Sequence, residues 1–227
     1  MLDEGRFFLP GYLGRARSYE PGLPDGWAAL QAPHAVRASG SLGRGRDWLV
    51  GEIEARKEPV VLGGHSMGAA LAILAAASVP DRIRALVLVG PSGLPISKPT
   101  RRIVHDFLRQ IAARRYHAPD VIPPIADAAR HPRAALRLAR ALRVLDLSRE
   151  MTRLRDEGVP STVIGCSTDT LTPPATTRRI AELLGADYRE LDLEGGHVWM
   201  FGSWHLLSAE LERAMVALPT ERGGASR

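Results

Sequence analysis

Three side chains in this sequence have the types and the settings that nucleophilic acyl chemistry needs: Ser66, Asp169 and His197. Ser66 is the centre of Gly64-His65-Ser66-Met67-Gly68, a G-x-S-x-G pattern with Val60-Val61-Leu62 before it and Ala69-Ala70-Leu71-Ala72 after it. A serine hydroxyl is a weak nucleophile until it is held in the open beside a base. A sharp strand-to-helix turn does this, and glycines two residues to either side remove the side chains that the turn would crowd. The turn also sets the serine at a helix N-terminus, where backbone N–H groups favour developing negative charge. Serine at such a position can instead be a plain N-cap. The apolar strand and small-residue helix around Ser66 favour the catalytic reading.

Asp169 lies three residues beyond an apolar run, in Gly165-Cys166-Ser167-Thr168-Asp169-Thr170-Leu171-Thr172-Pro173. Carboxyl ends of parallel strands are where functional groups gather. A loop aspartate is otherwise a turn or cap residue, and the chain order Ser, Asp, His is what singles this one out. His197 follows the last apolar run in Glu194-Gly195-Gly196-His197-Val198-Trp199, where two glycines let the loop approach the sheet edge. A neutral imidazole can take the serine proton and pass it on when a carboxylate holds its other nitrogen. His65 is expected to point away from the nucleophile, into the support of the turn. His34, His105, His117, His131 and His205 read as structural or surface residues.

The elements that must position these groups alternate between short apolar runs and longer amphipathic ones, the pattern of a parallel sheet with helices on both faces. Strands are expected at Arg6–Leu9, Trp27–Gln31, Pro59–Leu62, Ala85–Val89, Ser161–Cys166 and Asp187–Leu193. Helices are expected at Trp48–Lys57, Ser66–Val79, about Thr176–Leu184 and Trp204–Leu218. Between the fourth and fifth strands the pattern changes. Residues 98–155 read as two or three arginine-rich helices without a strand, carrying fourteen basic residues against five acidic ones, a net charge of +9. Ile103, Phe107, Leu108, Ile111, Leu138, Leu142 and Leu145 recur there at helical intervals. The expected organisation is a core of residues 1–97 and 156–227 with residues 98–155 as a helical lid.

Composition narrows the function classes. The chain has 227 residues, 45% hydrophobic and 24% charged, which suits one globular domain. No apolar run is long enough to span a membrane, and Arg6–Leu9 stops at Pro10 without the layout of a secretory signal. A single cysteine, Cys166, excludes an internal disulfide, so a cytoplasmic protein is expected. The formal net charge of +5 comes from arginine, with Lys57 and Lys98 the only lysines. No aromatic residues interleave with the arginines as a single-strand binder requires, so neither nucleic acid nor membrane is an expected partner. Zinc-type spacing of His, Cys or carboxylates and the lysine of a P-loop are both missing, so no metal and no cofactor is expected.

Leu9-Pro10-Gly11-Tyr12, the Gly64–Gly68 turn, the Asp169 loop and the Gly196-His197 turn together resemble the α/β-hydrolase superfamily, over nearly the whole chain. Within it the order and spacing are similar to small esterases, haloperoxidases and C–C hydrolases. The resemblance implies Ser66 as nucleophile, Asp169 as the acid and His197 as the base. It further implies an oxyanion hole made by the backbone N–H groups of Tyr12 and Met67. Gly11, Tyr12, Phe107 and Trp199 are the candidates for substrate contact. Two departures stand out: Pro10-Gly11 replaces the family's usual His-Gly, and the family's first two strands are absent, which predicts a six-stranded core sheet. The expected activity is hydrolysis of a carboxylic ester or thioester of a small-molecule acyl substrate. An acyltransferase, a C–C hydrolase or a non-catalytic binding protein on the same scaffold are the alternatives.

Overall fold

The computed structural model describes residues 5–12, 14–99, 101–103, 106 and 130–218. Six strands form one sheet: β1 (Arg6–Leu9), β2 (Trp27–Ala29), β3 (Val60–His65), β4 (Ile83–Val89), β5 (Ser161–Cys166) and β6 (Asp187–Leu191). Their order is β2-β1-β3-β4-β5-β6, and every neighbouring pair is parallel. A wholly parallel sheet is covered on both faces, which is why its central strands are apolar throughout. All six residues of β3 are buried.

Strand residues alternate between two cores. Phe7, Leu9, Leu62, Leu86, Leu88 and Val163 pack under four helices: α3 (Leu42–Glu54), α4 (Met67–Ser78), α6 (Ser148–Asp156) and α7 (Pro174–Leu184). Phe8, Val61, Val87 and Ile164 face the other way, toward α1 (Ala16–Tyr19) and α8 (Trp204–Val216). α2 (His34–Ser39) leads into α3, whose start is capped by the Ser41 hydroxyl accepting from Arg44 N–H. Two glycines, Gly43 and Gly45, conceal that first turn in the sequence, so the helix begins six residues before the expected Trp48.

The two described helices of the region expected to be a lid pack differently. Its final helix α6 belongs to the core, with Met151 and Leu154 fully buried against α4 and α7. An amphipathic stripe that reads as a lid face is here the face packed on two core helices. The preceding helix α5 (Pro132–Val144) is more exposed and rests on α2, where Gly40 adopts φ +60° and a Cβ would run into the backbone of Ala134. Arg137 Nη1 donates to the Ser39 carbonyl at 3.2 Å across the same contact.

Candidate functional site

β3 runs directly into α4, and Ser66 at the junction has φ 53° and ψ −113°, the only positive φ of a non-glycine residue among the described residues. Such a backbone costs about 1–3 kcal/mol and persists only where its surroundings impose it. The surroundings are tight. A Cβ on Gly64 would lie 2.5 Å from the Gly68 carbonyl carbon, and one on Gly68 would overlap the Leu9 carbonyl. The glycines are therefore required by close backbone approach. Ser66 N–H donates to Val89 O at 3.0 Å. Its hydroxyl does not cap α4, which removes the plain N-cap reading. Instead Ser66 Oγ lies 3.5 Å from Ser92 Oγ, while Ser92 N–H donates to the Ser66 carbonyl at 3.1 Å.

Asp169 and His197 meet beyond the carboxyl ends of β5 and β6. His197 Nδ1 lies 2.8 Å from Asp169 Oδ2, with both side chains almost completely buried. Asp169 Oδ1 accepts from the N–H groups of Leu171 and Thr172 at 2.8 and 3.0 Å, a local turn that fixes the carboxylate plane. The Thr172 hydroxyl donates to Asp169 Oδ2 at 2.7 Å and lies 3.2 Å from His197 Nδ1. Burial pushes the Asp169 carboxyl up, but His197 and the hydrogen bonds from His197 and Thr172 outweigh it and hold the group below the usual carboxylate range. An ionised carboxylate can only accept, and in that form the contact is a hydrogen bond donated by His197 Nδ1. His197 reaches this position because Gly195 and Gly196 have φ 120° and 59°, which turn the loop back over the sheet edge.

His65 points away from Ser66, as expected, and into a buried relay. Gly11 N–H donates to Tyr19 Oη at 3.2 Å, Tyr19 Oη lies 2.8 Å from His65 Nδ1, and His65 Nε2 lies 2.8 Å from the His197 carbonyl. A Cβ on Gly11 would meet His65 Nδ1 at 2.8 Å, so the loop at Pro10-Gly11 is seated directly on the imidazole. Tyr12 leaves this loop in the other direction, its hydroxyl donating to the Ala135 carbonyl of α5 at 2.8 Å.

Beside these elements lies a cavity of about 100 Å³, lined by Gly11, Tyr12 and Met67 and, among apolar side chains, by Leu42, Trp48 and Leu71. Ser66, Asp169 and His197 do not line it. Trp199, expected to touch substrate, is only 2% exposed and packs in the core cluster with Leu207 and Leu211. It is a core residue because the loop after His197 turns inward against α8. Phe107 lies outside the described residues. Among the described residues no group of three His, Cys, Asp or Glu side chains is arranged to hold a metal ion. No helix among them is long and apolar enough to cross a membrane.

Tyr19, Ser92 and Thr172 also belong to this site, Tyr19 and Ser92 without any local mark in the sequence. Thr172 alone has a hint, since its spacing from Asp169 suits a side-chain-to-backbone turn.

The sequence profile of the Alpha/beta hydrolase family matches residues 7–210. The chain belongs to that family. One curated relative of this hydrolase, the lipase LipV of Mycobacterium tuberculosis, is 39% identical over 80 residues, 31% of this chain. The match also spans 31% of that lipase, about a third of its length. Among solved structures, a hydrolase from Oleispira antarctica superimposes with a TM-score of 0.73 at 15% identity, covering 92% of this chain and 90% of its own. An enol-lactonase from Burkholderia xenovorans superimposes with a TM-score of 0.70 at 17% identity, covering 93% and 92%. These two likenesses are of fold. The α/β-hydrolase fold expected from the sequence is the observed one.

Proposed function

We propose that this α/β hydrolase cleaves carboxylic esters through an acyl-enzyme on Ser66, with His197 as general base and acid and Asp169 as its orienting carboxylate. The observation that carries the reading is the buried 2.8 Å contact between His197 Nδ1 and Asp169 Oδ2. With hydrogen on Nδ1, the lone pair of the neutral imidazole is on Nε2, the nitrogen that a proton-accepting base must use.

The steps are those of acyl transfer. Ser66 Oγ bonds to the ester carbonyl carbon as its proton passes to His197 Nε2. The resulting oxyanion is held by the backbone N–H groups of Met67 and Tyr12, a service for which one lost donor costs on the order of 100- to 1000-fold in turnover. His197 then gives the proton to the departing alkoxide as the C–O bond breaks. Water attacks the acyl-enzyme, loses a proton to His197, and the acid leaves as Ser66 regains its hydrogen. A lipase and an enol-lactonase among the relatives support esters as the substrate class. The single buried cysteine supports a cytoplasmic setting, and helix α5, resting on α2, supports a cover over the cavity from that part of the insert alone.

A fluorophosphonate probe tests the reading. The wild-type protein is expected to label once, and Ser66→Ala not at all. Failure of the wild type to label, or equal labelling of Ser66→Ala, overturns it.

A further inference from the structure

We infer that the cavity between α3, α4 and α5 is the acyl-chain pocket of the ester, and that Trp48 and Leu71 set the length of chain it accepts. This rests on the proposed hydrolase reading and goes beyond it by naming the substrate class.

The cavity has a direction. Met67, on its wall, begins α4, and Leu71, also on its wall, follows one helical turn later, about 6 Å along the axis. Across from it, Gly45 of α3 is buried against Leu71: a Cβ there would lie 2.9 Å from Leu71 Cδ2. Trp48 stands three residues beyond Gly45, on the same side of α3, and is half-buried. The space therefore leads from the proposed oxyanion donors into the crevice between two core helices.

Position identifies which half of the ester enters. The leaving alcohol must receive its proton from His197, so it lies on the histidine side of the carbonyl. The cavity touches Gly11, Tyr12 and Met67, which flank Ser66 on the side of the proposed oxyanion donors, and none of Ser66, Asp169 or His197. It receives the acyl half.

Polarity identifies the chemistry. The polar groups on the cavity wall already hold partners. Gln31 Oε1 accepts from Ala16 N–H at 2.9 Å, Arg37 Nε donates to Ala32 O at 3.1 Å, and His34 Nε2 lies 3.0 Å from His131 Nε2 at the surface. Leu30, Leu42, Trp48, Leu71 and Leu138 are among the apolar side chains of the wall. Volume sets the length. An engineered cavity of about 150 Å³ holds the six carbons of benzene, so the present 100 Å³ holds a chain of about four carbons by the same measure.

The test measures kcat/KM for p-nitrophenyl esters from acetyl to dodecanoyl, with fluorophosphonate labelling run on every variant. Each methylene that finds the pocket adds about fourfold to the rate constant. The wild type is expected to peak between butanoyl and hexanoyl and to fall at least about tenfold by dodecanoyl. Trp48→Ala opens the crevice and raises the decanoyl-to-butanoyl ratio about tenfold or more. Gly45→Val presses Leu71 into the space and lowers the hexanoyl-to-acetyl ratio by a similar factor, an independent arm should Trp48→Ala fail to fold. A labelled wild type whose profile is flat or still rising at dodecanoyl, or labelled variants whose ratios do not move, overturns the pocket alone. A wild type that does not label overturns the hydrolase reading and the pocket together.

Discussion

His65 Nε2 donates to the carbonyl oxygen of His197 at 2.8 Å, so the residue before the proposed nucleophile holds the backbone of the proposed base. The carbonyl can only accept, which places the imidazole hydrogen on Nε2. Tyr19 in turn accepts from Gly11 N–H and gives its own hydrogen to His65 Nδ1. One buried chain of hydrogen bonds thus ties together the loop at Gly11, the turn at Ser66 and the loop at His197. Burial, with a smaller contribution from His197, pushes the His65 pKa down to about 3. The ring stays neutral, as this pattern of donors and acceptors requires.

Tyr19→Phe tests the chain. It keeps the aromatic packing on Phe8, Phe201 and Trp204 but leaves Gly11 N–H and His65 Nδ1 without the phenol. Stability is expected to fall by about 1–3 kcal/mol, the cost of buried groups left unpaired. Because three loops lose registry, kcat is expected to drop up to about 100-fold with little change in KM. A variant with unchanged kcat shows that the relay serves folding alone.

Asp169→Asn and Thr172→Val separate orientation from charge. Asp169→Asn can hold His197 in the wrong tautomer and is expected to lower kcat about ten-thousand-fold while the protein remains folded. Thr172→Val removes one donor to Asp169 Oδ2 but keeps the two backbone N–H donors on Oδ1. Its expected loss is about tenfold, the value of one hydrogen bond to a charged group. If Asp169→Asn retains wild-type kcat in steady-state assays, another carboxylate orients the histidine.

How far the sequence carried depended on whether a residue's partners are near it in the chain. β1 and β5 have the expected bounds because their apolar runs end at Pro10 and at a polar loop. The turn at Ser66 was legible because its constraints, Gly64 and Gly68, are neighbours. β2 is shorter than expected, ending at Ala29, and Gln31 lies beyond it with its side chain accepting from Ala16 N–H, a distant partner that the local apolar pattern does not show. Tyr19 could not be found this way, since its partner His65 is 46 residues distant. The role of α6 was equally hidden: an amphipathic helix shows one apolar stripe, and nothing in that stripe says whether core helices or a cleft lie beneath it.

Acid sensitivity should trace to His65. Its folded pKa of about 3 lies below the ordinary 6.5, so the unfolded chain takes up a proton that the native state refuses. Stability from this site is full above pH 6.5 and is lost as pH falls from there toward 3, with a slope of up to about 1.4 kcal/mol per pH unit. Asp169, held below the usual range, adds to the loss only at the acid end of this interval. Urea denaturation between pH 7 and 4 is expected to show the slope in wild type and a much flatter one in His65→Asn. Equal slopes assign the acid sensitivity to other groups.

The strain at Ser66 predicts an exchange of stability against activity. Its φ of 53° is left-handed, a conformation that alanine resists as much as serine does and that glycine adopts freely. Ser66→Ala and Ser66→Gly both delete the hydroxyl, and both are expected to be inactive. They differ in the backbone. Relief of strain worth about 1–3 kcal/mol, less the larger entropy that glycine loses on folding, leaves Ser66→Gly more stable than Ser66→Ala by about 1 kcal/mol. Denaturant midpoints measured at equal m-values decide it. A glycine variant no more stable than the alanine variant means that the turn imposes no strain on the serine, and that its geometry follows from the packing of Gly64 and Gly68 alone.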